Sequence, residues 1–178
     1  MSTTSRRLLC FAVLGLSGLS GCAQKNLYDC YMGAPDAAER RDCIANGQAD
    51  VTVEPGQSIN QAMFDMPADA TRWVVKVRPG TYRETIAIDR SGVMLVGVTS
   101  ADRPEERVVI DGALDGGKVR KDAVIVSGSR FVMDGITVKN YSGNGVTTSK
   151  SLGVTLRNLV ADNTGNYGVY PVESEDIL

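Results

Sequence analysis

Three side chains able to do chemistry recur at one interval: Asp111, Asp134 and Arg157 stand 23 positions apart. Two carboxylates stacked by a repeat repel each other unless a hard cation or a raised pKa resolves the repulsion. At about 5 Å they could also serve glycoside hydrolysis, provided both face outward. Arg157, in the same register, could hold the carboxylates by charge or face an acidic sugar. Each aspartate is followed by glycine, however, and Asp-Gly is a common turn dipeptide. The expectation is therefore that Asp111 and Asp134 are corners without a metal between them, and that with Arg157 they mark a carbohydrate or cation surface.

The interval belongs to a repeat. Shifted by 23, Phe131, Met133, Ile136 and Val138 fall on Val154, Leu156, Leu159 and Ala161, and Asn140, Gly145 and Val146 fall on Asn163, Gly168 and Val169. Apolar residues alternate at strand period around a corner at Asp134-Gly135. Val108 to Gly112 precede Phe131 to Gly135 by the same shift, which predicts three registered coils. Short strands joined by Gly/Asn turns at a period in the low twenties predict an all-β parallel β-helix with rungs about 4.8 Å apart. Asn140 should then lie over Asn163 as an asparagine ladder. Lys139 should lie over Asp162, a cross-strand pair worth about 0.2–1 kcal/mol. Tyr141, Tyr167 and Tyr170 fall near the bends, as half-buried strand residues or as faces for sugar rings. Arg83 and Glu84 read as solvent-facing.

The β domain opens at Val51-Thr52-Val53. Ser58 and Gln61 form a capping box ahead of Ile59, Ala62, Met63 and Met66, a helical apolar spacing stopped by Pro67. Such a helix would cover the open end of the coil. Trp73 to Val77, Gly80 to Tyr82, Ile86 to Ile88 and Val93 to Gly97 read as the first coil. The segment VKVRPGTYRETIAI, following VEPGQSINQAM, is similar to the entry of the pectin-lyase-like superfamily of right-handed β-helices. That superfamily includes pectate lyases, pectin methylesterases and carbohydrate-binding and sugar-hydrolase modules, and the resemblance covers residues 51–178. In lyases of this fold, carboxylates bind calcium while an Arg or Lys abstracts a proton beside a uronate, so the resemblance admits calcium as a cofactor under that reading alone. The Gln, two Asp and Arg of pectin methylesterases have no motif here. With Leu19-Ser20-Gly21-Cys22, the Cys30/Cys43 region and YGVYPVESEDIL, the chain more narrowly resembles bacterial parallel β-helix lipoproteins without established activity.

Arg6 and Arg7 precede an apolar run from Leu8 to Leu19, the length of an export signal. The run ends in Leu19-Ser20-Gly21-Cys22, which resembles the lipobox of bacterial lipoproteins, whose cysteine is acylated and becomes the new N-terminus. Ala23, rather than Asp, follows Cys22, which by resemblance points to the outer membrane in a Gram-negative cell. Residues 1–21 are thus read as a signal peptide and 22–50 as a lipid-anchored region. Cys30 and Cys43 remain in an oxidising compartment and are expected to form a disulfide. A metal site is not expected, because the chain has no histidine and two thiols alone rarely hold an ion. Asp36 and Glu39 read as a capping box, and Gly47 as a helix stop in a left-handed turn.

Residues 22–178 suffice for one domain with a core. Without Arg6 and Arg7, 17 basic residues face 21 acidic ones, a net charge of −4, and no basic cluster offers a nucleic-acid surface. Two functions fit. One is a cell-envelope lipoprotein whose β-helix presents a surface to polysaccharide or a protein partner. The other is a fragment of a polysaccharide-processing lyase or epimerase acting on uronate polymers. The first is favoured because no complete catalytic set is visible. Asp176 to Leu178 repeat the register of Gly153 to Thr155, so the chain is expected to stop within a coil and to lack C-terminal coils.

Overall fold

The computed structural model describes residues 25–99, 107–114, 117–118 and 121–178; residues 1–21, read above as a signal peptide, and Cys22 lie outside the described residues. Helices α1 (Leu27–Gly33) and α2 (Ala37–Asn46) precede strand β1 (Val51–Val53) and helix α3 (Ile59–Phe64). Strands follow as β2 (Trp73–Val77), β3 (Gly80–Tyr82), β4 (Ile86–Ile88), β5 (Val93–Gly97), β6 (Val108–Asp111), β7 (Ala113–Leu114), β8 (Gly117–Lys118) and β9 (Val124–Val126). The chain then continues through β10 (Val132–Asp134), β11 (Ile136–Tyr141), β12 (Val146–Ser149), β13 (Leu152–Arg157), β14 (Val160–Thr164), β15 (Val169–Val172) and β16 (Glu175–Ile177).

Three parallel sheets form the walls of a β-helix. The first wall runs β1-β2-β5-β10-β13-β16, the second β3-β6-β11-β14 and the third β4-β9-β12-β15. Alternate side chains point inward, so Val75, Leu95 and Met133 stack along one wall against Ile110 and Val138 of the second and Val124 and Val146 of the third, all fully buried. Parallel strands joined by crossovers take the right-handed sense.

The shift of 23 is observed between the last two coils: Met133 pairs with Leu156, Asp134 with Arg157, Val138 with Ala161 and Lys139 with Asp162. It fails one coil earlier. Val108 to Asp111 pair with Ile136 to Lys139 on the second wall, whereas Val132 to Asp134 pair with Met94 to Val96 on the first. Asp111 and Asp134 are therefore not stacked, and the carboxylate pair expected between them does not exist. The physical reason is that period-two alternation is the same on every wall, so an Asp-Gly echo cannot say which wall it occupies. The short antiparallel β7–β8 hairpin lengthens this coil and breaks the even spacing.

The N-terminal end is closed as expected by α3, whose Ile59 and Ala62 are buried against the core, with Met66 just beyond it. Ser58 accepts from the Gln61 N–H at 3.1 Å. Glu84 corrects the sequence reading: it is no solvent-facing residue but the anion at this helix start. Its carboxylate accepts from the Ile59 N–H at 2.7 Å, the Asn60 N–H at 3.2 Å and the Ser58 hydroxyl at 2.8 Å. Asn60 then donates to the Thr85 carbonyl and accepts from the Ala87 N–H, covering backbone at the free edge of β4.

The α1–α2 hairpin is part of the domain. Leu27, Tyr31, Cys43 and Ile44 are buried on the outer face of the first wall, against Val74, Met94, Val96 and Val132. The disulfide between Cys30 and Cys43 joins the two helices, with 5.6 Å between Cα atoms. Asp36 caps α2 by accepting from the Ala38 and Glu39 N–H groups. Gly47 is extended, at φ −74°, rather than left-handed. It is small because a Cβ there would lie 2.6 Å from the Cys43 carbonyl and 2.9 Å from the Leu27 Cα.

Replacing both Cys30 and Cys43 by serine should cost about 3 kcal/mol, the chain-entropy value for a loop of this size. Scanning calorimetry measures it, and an unchanged melting temperature would contradict the view that the hairpin folds with the β-helix.

Candidate functional site

The first and second walls meet at a corner whose backbone is left-handed on successive rungs, at Gly135 (φ 71°) and Asn158 (φ 48°). Asparagine tolerates that conformation and glycine adopts it freely, which explains why the two residues coincide under the 23-residue shift. Across from this corner stands α2, and between them runs a groove of about 810 Å³. Arg41 and Asp42 line it from the helix side; Thr99, Arg107, Asp134, Thr137 and Asn158 line the other side, with Leu159 and Val160 as apolar floor.

Asp134 is 3 % exposed. One carboxylate oxygen accepts from the Tyr31 hydroxyl at 2.6 Å, the other from the Asn158 amide at 2.6 Å. Arg157, the neighbour of Asp134 on the next rung, donates to the Tyr31 hydroxyl at 3.3 Å and sets its guanidinium 5.9 Å from the centre of that ring. Burial pushes the Tyr31 phenol up to about 12, reinforced by its bond to Asp134 and opposed by Arg157. The structure thus brings Asp134 and Arg157 together, as expected, around a tyrosine that the sequence reading did not single out.

Asp111 lies elsewhere, on the second wall. It accepts from the Ala113 N–H at 2.9 Å and the Asn140 amide at 2.9 Å, and pairs with the Lys139 ammonium at 3.5 Å. Burial works to raise its pKa, but the Asn140 amide, the Ala113 N–H and Lys139 together hold it below the usual carboxylate range. The expected ladder is present, since Asn163 donates to the Asn140 oxygen at 2.7 Å. Asp111 is its first rung and has an architectural role. Lys139, in register with Asp162, makes its ion pair with Asp111.

Lys76 is a second residue that sequence reasoning missed. Only 5 % exposed, it donates to the Gly47 carbonyl at 2.5 Å and the Ala45 carbonyl at 3.5 Å, holding the C-terminal end of α2. Burial, then the nearby Arg78, lowers its pKa. Its signal was a lysine at an outward position of a strand, WVVKV, whose other outward position, Val74, is apolar. The tyrosines do not act as a group. Tyr141 is buried and donates to the Glu84 carbonyl at 2.6 Å, whereas Tyr167 and Tyr170 are exposed and stacked, 5.3 Å apart. Among the described residues, no three acidic or thiol groups converge as metal ligands would.

The fold and this corner define a three-walled parallel β-helix with a disulfide-linked helical hairpin clamped to one wall. No family model matches the chain, and no curated protein matches it. Two solved structures are similar: a mutant pectin methylesterase in complex with a hexasaccharide, at 16% identity and TM-score 0.47, and a pectin methylesterase with another hexasaccharide, at 18% and 0.47. The matches cover 67% and 60% of this chain, and the chain spans 48% and 42% of theirs. The fold assignment stands on the strand order and register described above.

The Tyr31 phenol is favoured in its neutral form by folding, so its contribution to stability is complete below pH 10 and is lost as pH rises through about 12. Melting curves measured across that window should fall with pH, and Tyr31→Phe should remove its share of the slope. The remainder belongs to groups such as Tyr82, also pushed up to about 12 by burial, then by Glu54 and Glu84.

Proposed function

We propose that this chain is a cell-envelope lipoprotein, anchored through Cys22, that binds an acidic polysaccharide in the groove between α2 and the first corner without cleaving it. The lining of that groove carries the reading: Arg41 on the helix and Arg107 on the corner flank apolar Leu159 and Val160. Guanidinium groups bind carboxylates in planar, two-point fashion, and an apolar floor suits the faces of sugar rings. Thr137 and Asn158 supply the neutral hydrogen-bonding groups that a sugar requires.

Binding is favoured over turnover by the state of Asp134. Both of its oxygens already accept short hydrogen bonds, from Tyr31 and Asn158, which leaves it poorly placed to take a substrate proton. Asp42, the other acidic residue of the groove, accepts from the Asn46 amide at 2.8 Å on its own helix. The pairing of two carboxylates that glycoside hydrolysis uses finds no support in the positions of Asp111 and Asp134.

Titration calorimetry with oligogalacturonates tests the reading. Arg41→Ala should weaken binding roughly tenfold, the loss expected for one charge-assisted hydrogen bond of about 1.5 kcal/mol. Wild-type protein that releases shortened or unsaturated oligomers would instead establish an enzyme, and binding insensitive to Arg41 would move the site elsewhere.

A further inference from the structure

The described chain starts already fastened to the fold. The Lys25 carbonyl accepts from the Gln48 N–H at 2.9 Å, and the Leu27 N–H donates to the Gln48 carbonyl at 2.9 Å, just ahead of β1. Cys22 lies three positions before Lys25. Three residues span at most about 10 Å even when fully extended, so a lipid on Cys22 has almost no tether.

The place of this fastening decides which part of the domain would meet the lipid. In the first wall β1 is the outermost strand, followed by β2, β5 and β10. Helix α1 starts beside the residues leading into β1 and reaches Asp134 of β10 through Tyr31, so it climbs the stack from its N-terminal end. At that same end α3 closes the core. It turns Ile59 and Ala62 inward, with Met66 buried just beyond it, while Phe64, on the opposite side at 100° per residue, is 84% exposed. The two helices are linked there, because Trp73 donates to the Ala62 carbonyl of α3 and its neighbour Arg72 pairs with Asp29 of α1.

We propose that the N-terminal end of the β-helix, with Phe64 at its tip, rests directly against the bilayer surface. The claim deepens the lipoprotein reading and rests on acylation of Cys22. A lipid surface is the occupant that fits, since it needs no shape complementarity from a protruding aromatic ring and the anchor delivers it to this end. The coil axis then rises from the membrane. Asp134 sits three rungs above β1, which places the groove about 14 Å from the base at the spacing of neighbouring strands.

The test uses the full lipidated chain in phosphatidylcholine vesicles doped with a headgroup nitroxide. A fluorophore at Phe64→Cys should lose its emission to the quencher, whereas one at Asp162→Cys, exposed on the far rung, should keep it. Inserting about ten Gly/Ser residues after Ala23 gives the base a flexible tether and should restore emission at position 64 while the protein stays on the vesicles. Full emission at position 64 from vesicle-bound protein without the insert overturns the docking and leaves the anchor standing; a base covered by a second copy would give that result. Protein that never associates with vesicles overturns both.

Discussion

A hydrogen bond between residues 103 positions apart, from the Tyr31 hydroxyl to the Asp134 carboxylate, ties the two parts of this molecule together. A carboxylate buried without partners is costly, so Asp134 on the outer face of the first wall requires something to cover and satisfy it. Helix α1 does both, placing Leu27 and Tyr31 on one face, four residues apart, over Val74, Met94, Val96 and Val132. The disulfide carries that placement to α2, and Lys76 fixes the far end of α2 through its last carbonyls. With α2 held in this way, the corner opposite becomes a groove.

Repetition made the last two coils legible. Phe131 to Gly145 and Val154 to Gly168 share spacing, turn residues and core positions, and they pair as their shift implies. The earlier coil was misread because the run Val108 to Asp111 looks alike on any wall, and only the inserted β7–β8 hairpin distinguishes its true partner. The pairing of Cys30 with Cys43, expected from the cysteine count, is present. What could not be read was where the resulting hairpin packs. A helix with a narrow apolar face carries no record of which strand it will cover, and the partners of Tyr31 and Lys76 are distant in the chain. Glu84 was hidden for the same reason, since its helix start precedes it by more than twenty residues.

The site follows the same division. Arg157 was legible as the register neighbour of Asp134, but Arg41 and Arg107 become members of one groove only through tertiary packing. Asp111 looked equivalent to Asp134 and serves instead to start an asparagine ladder whose rungs Asn140 and Asn163 hold left-handed corners. One aspartate therefore stabilises the wall internally, while the other fastens what lies outside it.

The hold of the helical hairpin on the first wall depends on the coupling of Tyr31 to Asp134, and a double-mutant cycle with Tyr31→Phe and Asp134→Asn isolates it. Chemical denaturation of the four proteins should give an interaction energy of about 1.5 kcal/mol or more, the range for a hydrogen bond to a charged group, because Tyr31→Phe removes the donor and Asp134→Asn removes the charge on the acceptor. Additive effects, with the double variant losing the sum of the two single losses, would contradict it and would mean that the hairpin is held to the wall by packing and the disulfide alone.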